Sequence, residues 1–250
     1  MSGHSKWSQI KRQKGVNDAR RGQLFTKLGR EISVAAREGG PDVDGNFRLR
    51  LAVQHARENN MPIDNIDRAI KRGAGGAEGG ANYEEITYEG YGPGGTALMV
   101  QALTDNRNRT ASDIRSIFTR GGGNLGETGC VAWIFDAKGQ ITVPLDSKDP
   151  DEAQLEAIDA GADDVVQDED ILVVYTDPGD LEAVRRGLEA KGITVADAEQ
   201  TLVPKTQVEL DDHTAEQVLR LVDRLEELDD VQAVYSNSII PDAVAEKMAG

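Results

Sequence analysis

Positively charged side chains are crowded at the start of the chain. The first 30 residues contain eight Lys and Arg and a single acid, Asp18, which gives a local net charge of +7. Because like charges at this density repel one another, phosphate contact is favoured over a basic face that is merely solvated. The predicted nucleic-acid-binding cations are Lys6, Lys11, Arg12, Lys14, Arg20, Arg21, Lys27 and Arg30.

Three further features could contribute to such a site. Trp7 stands among the cations and could stack on a base, or it could anchor the segment to the helical core together with Ile10. Arg107 and Arg109 fall between a predicted strand and a predicted helix, where guanidinium groups and backbone N–H groups suit an anion, although surface arginines in a loop fit equally well. The loop Asn60-Met61-Pro62 could present Met61 to a narrow site, or could bury it.

Catalytic constellations are missing from the sequence. His4, His55 and His213 are far apart and lie in no recognisable motif, and the lone Cys130 is expected to be an inert thiol in an apolar strand. Neither metal-ligand spacing nor a nucleotide fingerprint is present. We therefore expect no enzyme activity, no cofactor, no metal and no small-molecule substrate.

The charge divides the chain into two parts. Residues 1–80 hold 15 Lys and Arg against 9 Asp and Glu, a net charge of +6, whereas residues 81–250 carry a net charge of −22, so that the whole chain carries −16. A basic segment beside an acidic body predicts a polyanion partner for the first part and possible basic protein partners for the second. The single cysteine and the absence of an apolar span predict a cytoplasmic protein that does not contact membrane.

Helical periodicity dominates the first part. Apolar residues between Leu24 and Ala36 form one stripe with most cations on the opposite side, and the helix should stop at Gly39-Gly40-Pro41. A second helix is predicted over 47–59. A third is predicted after Pro62, with Asp64 as its N-cap. The glycine-rich stretch 72–82 then reads as a linker.

The second part alternates strands and helices. Strands are predicted over 84–91, 96–104 and 130–135, with a helix whose capping box starts at Thr110 and a glycine-rich turn over 121–129. From Gly139 a β-α-β-β-α-β order is predicted, which includes a strand from Ile193. A final helix and strand after this unit are predicted to complete the α/β domain that begins at residue 81. The predicted class is an α+β multidomain protein, in which an N-terminal all-helical domain precedes two α/β domains of ferredoxin-like style, one inserted in the other. The predicted domains are 1–80, 81–137 plus 205–250, and the inserted 138–204.

Six stretches in order resemble one known family. They are MSGHSKW, FTKLGREISVAAREGG, NMPIDNIDRAIKRG, YEGYGPGG, TDNRNRT and GGGNLGETGCVAW. The sequence is similar to the YebC/PmpR family of transcriptional regulators, and departs from it at Cys130, where members commonly carry serine. The resemblance implies the same three-domain architecture and regulation through nucleic acid without catalysis. Some members are described as DNA-binding regulators, and others, including mitochondrial relatives, as translation factors on the ribosome.

Three functions follow as hypotheses. The leading one is a non-enzymatic regulator of gene expression that binds nucleic acid through its N-terminal helical domain, with a DNA-binding transcriptional regulatory protein ranked first. The alternative is a translation factor that contacts rRNA, because no recognition helix or base-reading spacing favours DNA over RNA. The second alternative is a protein-interaction adaptor whose acidic α/β domains bind a basic partner.

Overall fold

The computed structural model describes residues 18–75, 83–145, 149–168 and 170–249. These belong to two compact units. Unit 1 comprises Met1–Phe135 with Pro204–Gly250, and unit 2 comprises Asp136–Val203. A helical region followed by α/β parts confirms the predicted α+β class, whereas the exact domain boundaries stay predictions.

The described part of unit 1 begins with three helices that pack around a shared apolar core. They are α1 (Asp18–Gly39), α2 (Phe47–Glu58) and α3 (Ile63–Gly73). Buried Asn46 joins the first two, since its side-chain oxygen caps α2 at Leu49 N while its amide donates to the carbonyls of Ala35 and Gly40. Gly73 allows α3 to approach α1 closely, because a Cβ there would lie 2.1 Å from the Ser33 carbonyl oxygen.

Unit 1 continues as an antiparallel sheet of strand order β3-β1-β2-β9. Its strands are β1 (Glu84–Tyr91), β2 (Ala97–Thr104), β3 (Asn124–Leu125) and β9 (Val231–Ser236). Helices α4 (Arg107–Arg120) and α7 (Asp212–Glu226) share one core with the sheet, which contains Phe118, Leu221 and Val234. A short parallel pair, β8 (Val208–Glu209) with β10 (Ser238–Ile239), and α8 (Asp242–Ala249) follow in this unit.

Unit 2 has the β-α-β-β-α-β order and a sheet of order β5-β6-β4-β7. This is the ferredoxin-like arrangement, in which the central strands are the first and third of the unit. Its elements are β4 (Phe135–Pro144), α5 (Pro150–Asp159), β5 (Asp164–Asp168), β6 (Ile171–Thr176), α6 (Leu181–Ala190) and β7 (Asp197–Pro204). β4 and β5 each pair antiparallel with β6.

The predicted strand over 130–135 is wrong. Residues Ala132–Ile134 form a 3-10 turn and the strand begins only at Phe135. The cause is Glu89, a buried carboxylate on β1 that accepts hydrogen bonds from the backbone N–H groups of Gly129, Val131 and Ala132 at 2.7–2.9 Å. Those N–H groups are therefore unavailable for a sheet ladder, and local strand propensity is overridden by a distant side chain.

Three predicted starts of elements are also corrected. Asn106, not Thr110, caps α4 by accepting from Arg109 N at 3.1 Å, so Thr110 lies inside the helix. Helix α3 begins at Ile63 after Pro62, which places Asp64 in its first turn rather than at the cap. The strand expected from Ile193 begins at Asp197, because Ile193 is buried just after α6 and its N–H donates to the Leu188 carbonyl.

Candidate nucleic-acid interface

The basic stripe of α1 lies against the end of α7. Gln23, Lys27 and Arg30 recur at i, i+4 and i+7, so they project from one side of the helix. The Gln23 amide donates to the Glu227 carbonyl at 3.3 Å, and the Lys27 ammonium donates to the Glu226 carbonyl. These carbonyls lie at the C-terminal end of α7, where helix geometry leaves acceptors unpaired and the helix dipole favours cations.

Asp230 is the centre of this contact. Arg30 pairs with its Oδ1 at 2.6 Å, Arg109 pairs with its Oδ2 at 2.8 Å, and the Thr110 hydroxyl donates to Oδ2 at 2.6 Å. Burial raises the pKa of Asp230, but the hydrogen bonds from Arg109 and Thr110 and the charge of Arg30 outweigh it and lower that pKa below its ordinary value. The carboxylate therefore joins α1, α4 and the turn before β9.

The predicted cations thus separate into groups. Lys27, Arg30 and Arg109 have partners within unit 1, and the side chain of Arg30 is only 14% exposed. Exposed Arg21 stacks on Phe25 at 5.5 Å, and Arg107 lies 3.8 Å from Glu84 with its side chain 69% exposed. The remaining predicted residues fall outside the described part of the chain: Lys6, Trp7, Lys11, Arg12, Lys14 and the side chain of Arg20.

Of the two alternatives for the loop Asn60-Met61-Pro62, the structure shows the buried methionine. Met61 is 7% exposed and belongs to the core of the three helices, whereas Asn60, with a φ of 57°, and Pro62 are exposed beside it. Because Met61 N–H donates to the Ala56 carbonyl, the chain reverses and turns the thioether inward. The loop therefore presents Asn60 and Pro62 but not Met61.

Sequence reasoning missed two arginines that line an open cleft in unit 1. Arg120 ends α4 and Arg224 lies in the last turn of α7, and the cleft of about 780 Å³ also contains Gln23. Ile117 and Leu228 supply apolar surface, and Glu227 is the one acid in the lining. The sequence shows that each of these two helices has a basic residue in its last turn. It does not show that the two ends lie side by side, because that follows from tertiary packing.

The cleft lies next to the start of α1. At 1.5 Å per residue, the first residue of that helix, Asp18, is about 8 Å along the axis from Gln23. This is close to a Debye length at physiological salt, ~8 Å. Exposed Arg21, which lies between Asp18 and Gln23 in α1, is therefore within about a Debye length of Gln23 in the lining of this cleft.

Two family models match consecutive parts of the chain. The model of the TACO1/YebC protein N-terminal domain matches residues 5–76, and the model of the TACO1/YebC second and third domain matches residues 83–238. The chain belongs to the TACO1/YebC family.

Several relatives match the chain over nearly its whole length. A protein of Moorella thermoacetica is 58% identical over 99% of both chains, and one of Herpetosiphon aurantiacus is 56% identical over 100% of this chain and 99% of its own. Both are named "Probable transcriptional regulatory protein". A crystal structure of Aq1575 from Aquifex aeolicus, described as a conserved hypothetical protein, is 49% identical with a TM-score of 0.82, covering 90% of this chain and 93% of that one.

Three other observations describe the residues of this TACO1/YebC protein outside the cleft. Among the described residues, no group of three or more His, Cys, Asp or Glu is arranged to hold a metal ion. No helix in the described ranges is long and apolar enough to cross a membrane. Burial and the nearby Glu89 charge raise the pKa of the Cys130 thiol, which disfavours the nucleophilic thiolate.

Proposed function

We propose that this protein is a non-enzymatic regulator of gene expression that binds nucleic acid through unit 1. The observation that carries the proposal is the cleft lined by Arg120 and Arg224 beside the start of α1, the helix that in the sequence follows residues 1–17 with their net charge of +4. The names of the relatives support a regulatory role, and a phosphate backbone supplies the counter-charge that such a cluster requires.

In the proposed site each group of residues has a distinct role. Lys6, Lys11, Arg12, Lys14, Arg20 and Arg21 contact phosphates along a strand. Arg120 and Arg224 hold a phosphate in the cleft, where Ile117 and Leu228 offer apolar surface to a sugar or base. Lys27, Arg30 and Arg109 act as positioning residues, since their hydrogen bonds and ion pairs hold α1 against α7 and β9.

Charge reversal tests the segment. Replacing Lys11, Arg12, Lys14, Arg20 and Arg21 with Glu should weaken binding to DNA or RNA and flatten its dependence on salt, because each lost phosphate contact removes about 0.7–0.9 from the slope of log K against log salt. Titrations at several salt concentrations measure both quantities. If the affinity and the salt slope of the variant equal those of the unaltered protein, these residues are not part of the binding site.

A second pair of variants tests the cleft. Arg120→Glu with Arg224→Glu should also lower affinity and salt slope. The matched control is Arg115→Glu with Arg220→Glu, which reverses exposed arginines on the same two helices outside the cleft lining. Equal losses in both double variants would show that only overall charge matters and would refute a cleft site.

Crosslinking in cells followed by sequencing of the attached nucleic acid distinguishes the targets. Promoter DNA fits the transcriptional function, whereas rRNA fits the alternative of a translation factor on the ribosome. Co-sedimentation with ribosomes that survives DNase but not RNase gives the same distinction independently. Recovery of no nucleic acid from the wild-type protein refutes the proposal.

A further inference from the structure

Helix α5 of unit 2 turns its larger apolar side chains toward solvent. Leu155 is 64% exposed and Ile158 is 56% exposed, whereas the face packed into the unit consists of Ala153 and Ala157, which are 3% and 1% exposed. An amphipathic helix ordinarily buries its larger apolar residues. Because Leu155 and Ile158 are three residues apart, their side chains are neighbours and form one apolar patch.

Acids surround this patch. Asp151, Glu152 and Asp159 are exposed within one helical turn of Leu155, and one cation, Lys191, lies 3.7 Å from the Asp159 carboxylate. The patch with these three acids is called the α5 face below.

The whole of unit 2 is acidic as well. Residues 136–203 hold 5 Lys and Arg against 18 Asp and Glu, a net charge of −13, which leaves −3 for the rest of the chain. The negative charge of the protein is therefore concentrated in the unit that carries the exposed apolar pair. A field of this sign attracts cationic partners and repels anionic ones.

We infer that the α5 face docks a lysine- or arginine-rich segment of another protein. Leu155 and Ile158 supply the desolvated apolar anchors, and the acids form a rim that selects a cationic partner. Nucleic acid and anionic lipid are repelled by the charge of unit 2. A second copy of the face is repelled too, since a symmetric pair would bring together two rims that each contain Asp151, Glu152 and Asp159.

Binding of a synthetic probe to the full-length protein tests the inference. The probe is a short labelled helical peptide with leucines repeating on one face and lysines elsewhere, and its counterpart has glutamine in place of lysine. The lysine peptide should bind more tightly by fluorescence anisotropy at physiological salt. Leu155→Ala with Ile158→Ala should weaken it by about tenfold or more, because truncated anchors dominate interface energy.

Control variants separate this face from general charge. Ile63→Ala removes an apolar side chain that is 68% exposed on unit 1 and should leave peptide binding unchanged. Asp151→Asn with Glu152→Gln should weaken binding and flatten its salt dependence. All these positions are exposed, so the variants should keep the circular dichroism of the wild type.

Three results would overturn the inference. They are peptide affinity unaffected by the Leu155 and Ile158 truncations, equal binding of the glutamine peptide, and a wild-type dimer in sedimentation that the truncations convert to monomer, which would assign the face to a second copy. The inference does not rest on nucleic-acid binding, which the truncations should leave intact.

Discussion

Replacing Asp230 with Asn should destabilise unit 1 far more than the loss of a surface ion pair. The carboxylate side chain is 10% exposed and accepts from Arg30, Arg109 and Thr110. The amide keeps the size but removes the charge, leaving the guanidinium of Arg30 without its counter-ion in a site that is 14% exposed.

The expected magnitude follows from the burial of each partner. A hydrogen bond to a charged group contributes about 1.5–3 kcal/mol, which applies to Arg30 with its side chain only 14% exposed, and the Thr110 bond adds roughly 1 kcal/mol. Arg109 is 47% exposed, so its pair is counted at about 0.5 kcal/mol. Because the amide can still accept one bond, the free energy of unfolding should fall by about 2–4 kcal/mol.

Urea unfolding followed by tryptophan fluorescence measures this change, since Trp133 lies in unit 1. The matched control is Asp163→Asn, which breaks the exposed pair with Lys138 and should cost no more than ~0.5 kcal/mol in unit 2 unfolding followed by amide exchange. A double-mutant cycle of Asp230→Asn with Arg30→Met should give a coupling energy above about 1 kcal/mol. A loss of ~0.5 kcal/mol or less at Asp230 would refute this account of how α1 is held.

Two other predictions concern stability. Because the pKa of Asp230 is lowered from its ordinary value of 3.8, its contribution is complete above that value and is lost as the pH falls through the folded-state pKa. The difference between wild type and Asp230→Asn in urea unfolding should therefore be constant at neutral pH and shrink below about pH 4; a constant difference down to pH 2 would contradict it. Gly90→Ala should cost about 1–3 kcal/mol, since its Cβ would lie 2.6 Å from the Asn124 carbonyl oxygen and 2.8 Å from the Phe118 ring. Gly22→Ala in α1 meets no atom within 4 Å and should stabilise by up to ~1 kcal/mol, so equal effects at the two glycines in thermal unfolding would count against the packing argument.

Local sequence patterns predicted the helices and strands correctly where interactions between nearby residues determine the backbone conformation. The strand over 84–91 and the helix stop at Gly39 were read correctly from periodicity and glycine placement. The strand predicted over 130–135 failed because Glu89, some forty residues earlier, takes the backbone donors of that segment. The cap predicted at Thr110 is wrong for a local reason, because Asn106 caps the helix four residues earlier; the Thr110 hydroxyl, inside the helix, donates to Asp230 instead.

The sequence by itself determined the α+β class, the family resemblance and the separation of positive from negative charge, because composition and periodicity are local properties of the chain. The tertiary structure decided which cations have internal partners. Lys27, Arg30 and Arg109 donate to groups about 120–200 residues away, while Arg120 and Arg224 come from different helices to line one cleft. The physical reason is that the net charge of a segment depends only on its composition, whereas an ion pair or hydrogen bond depends on the distance between two side chains in the folded protein.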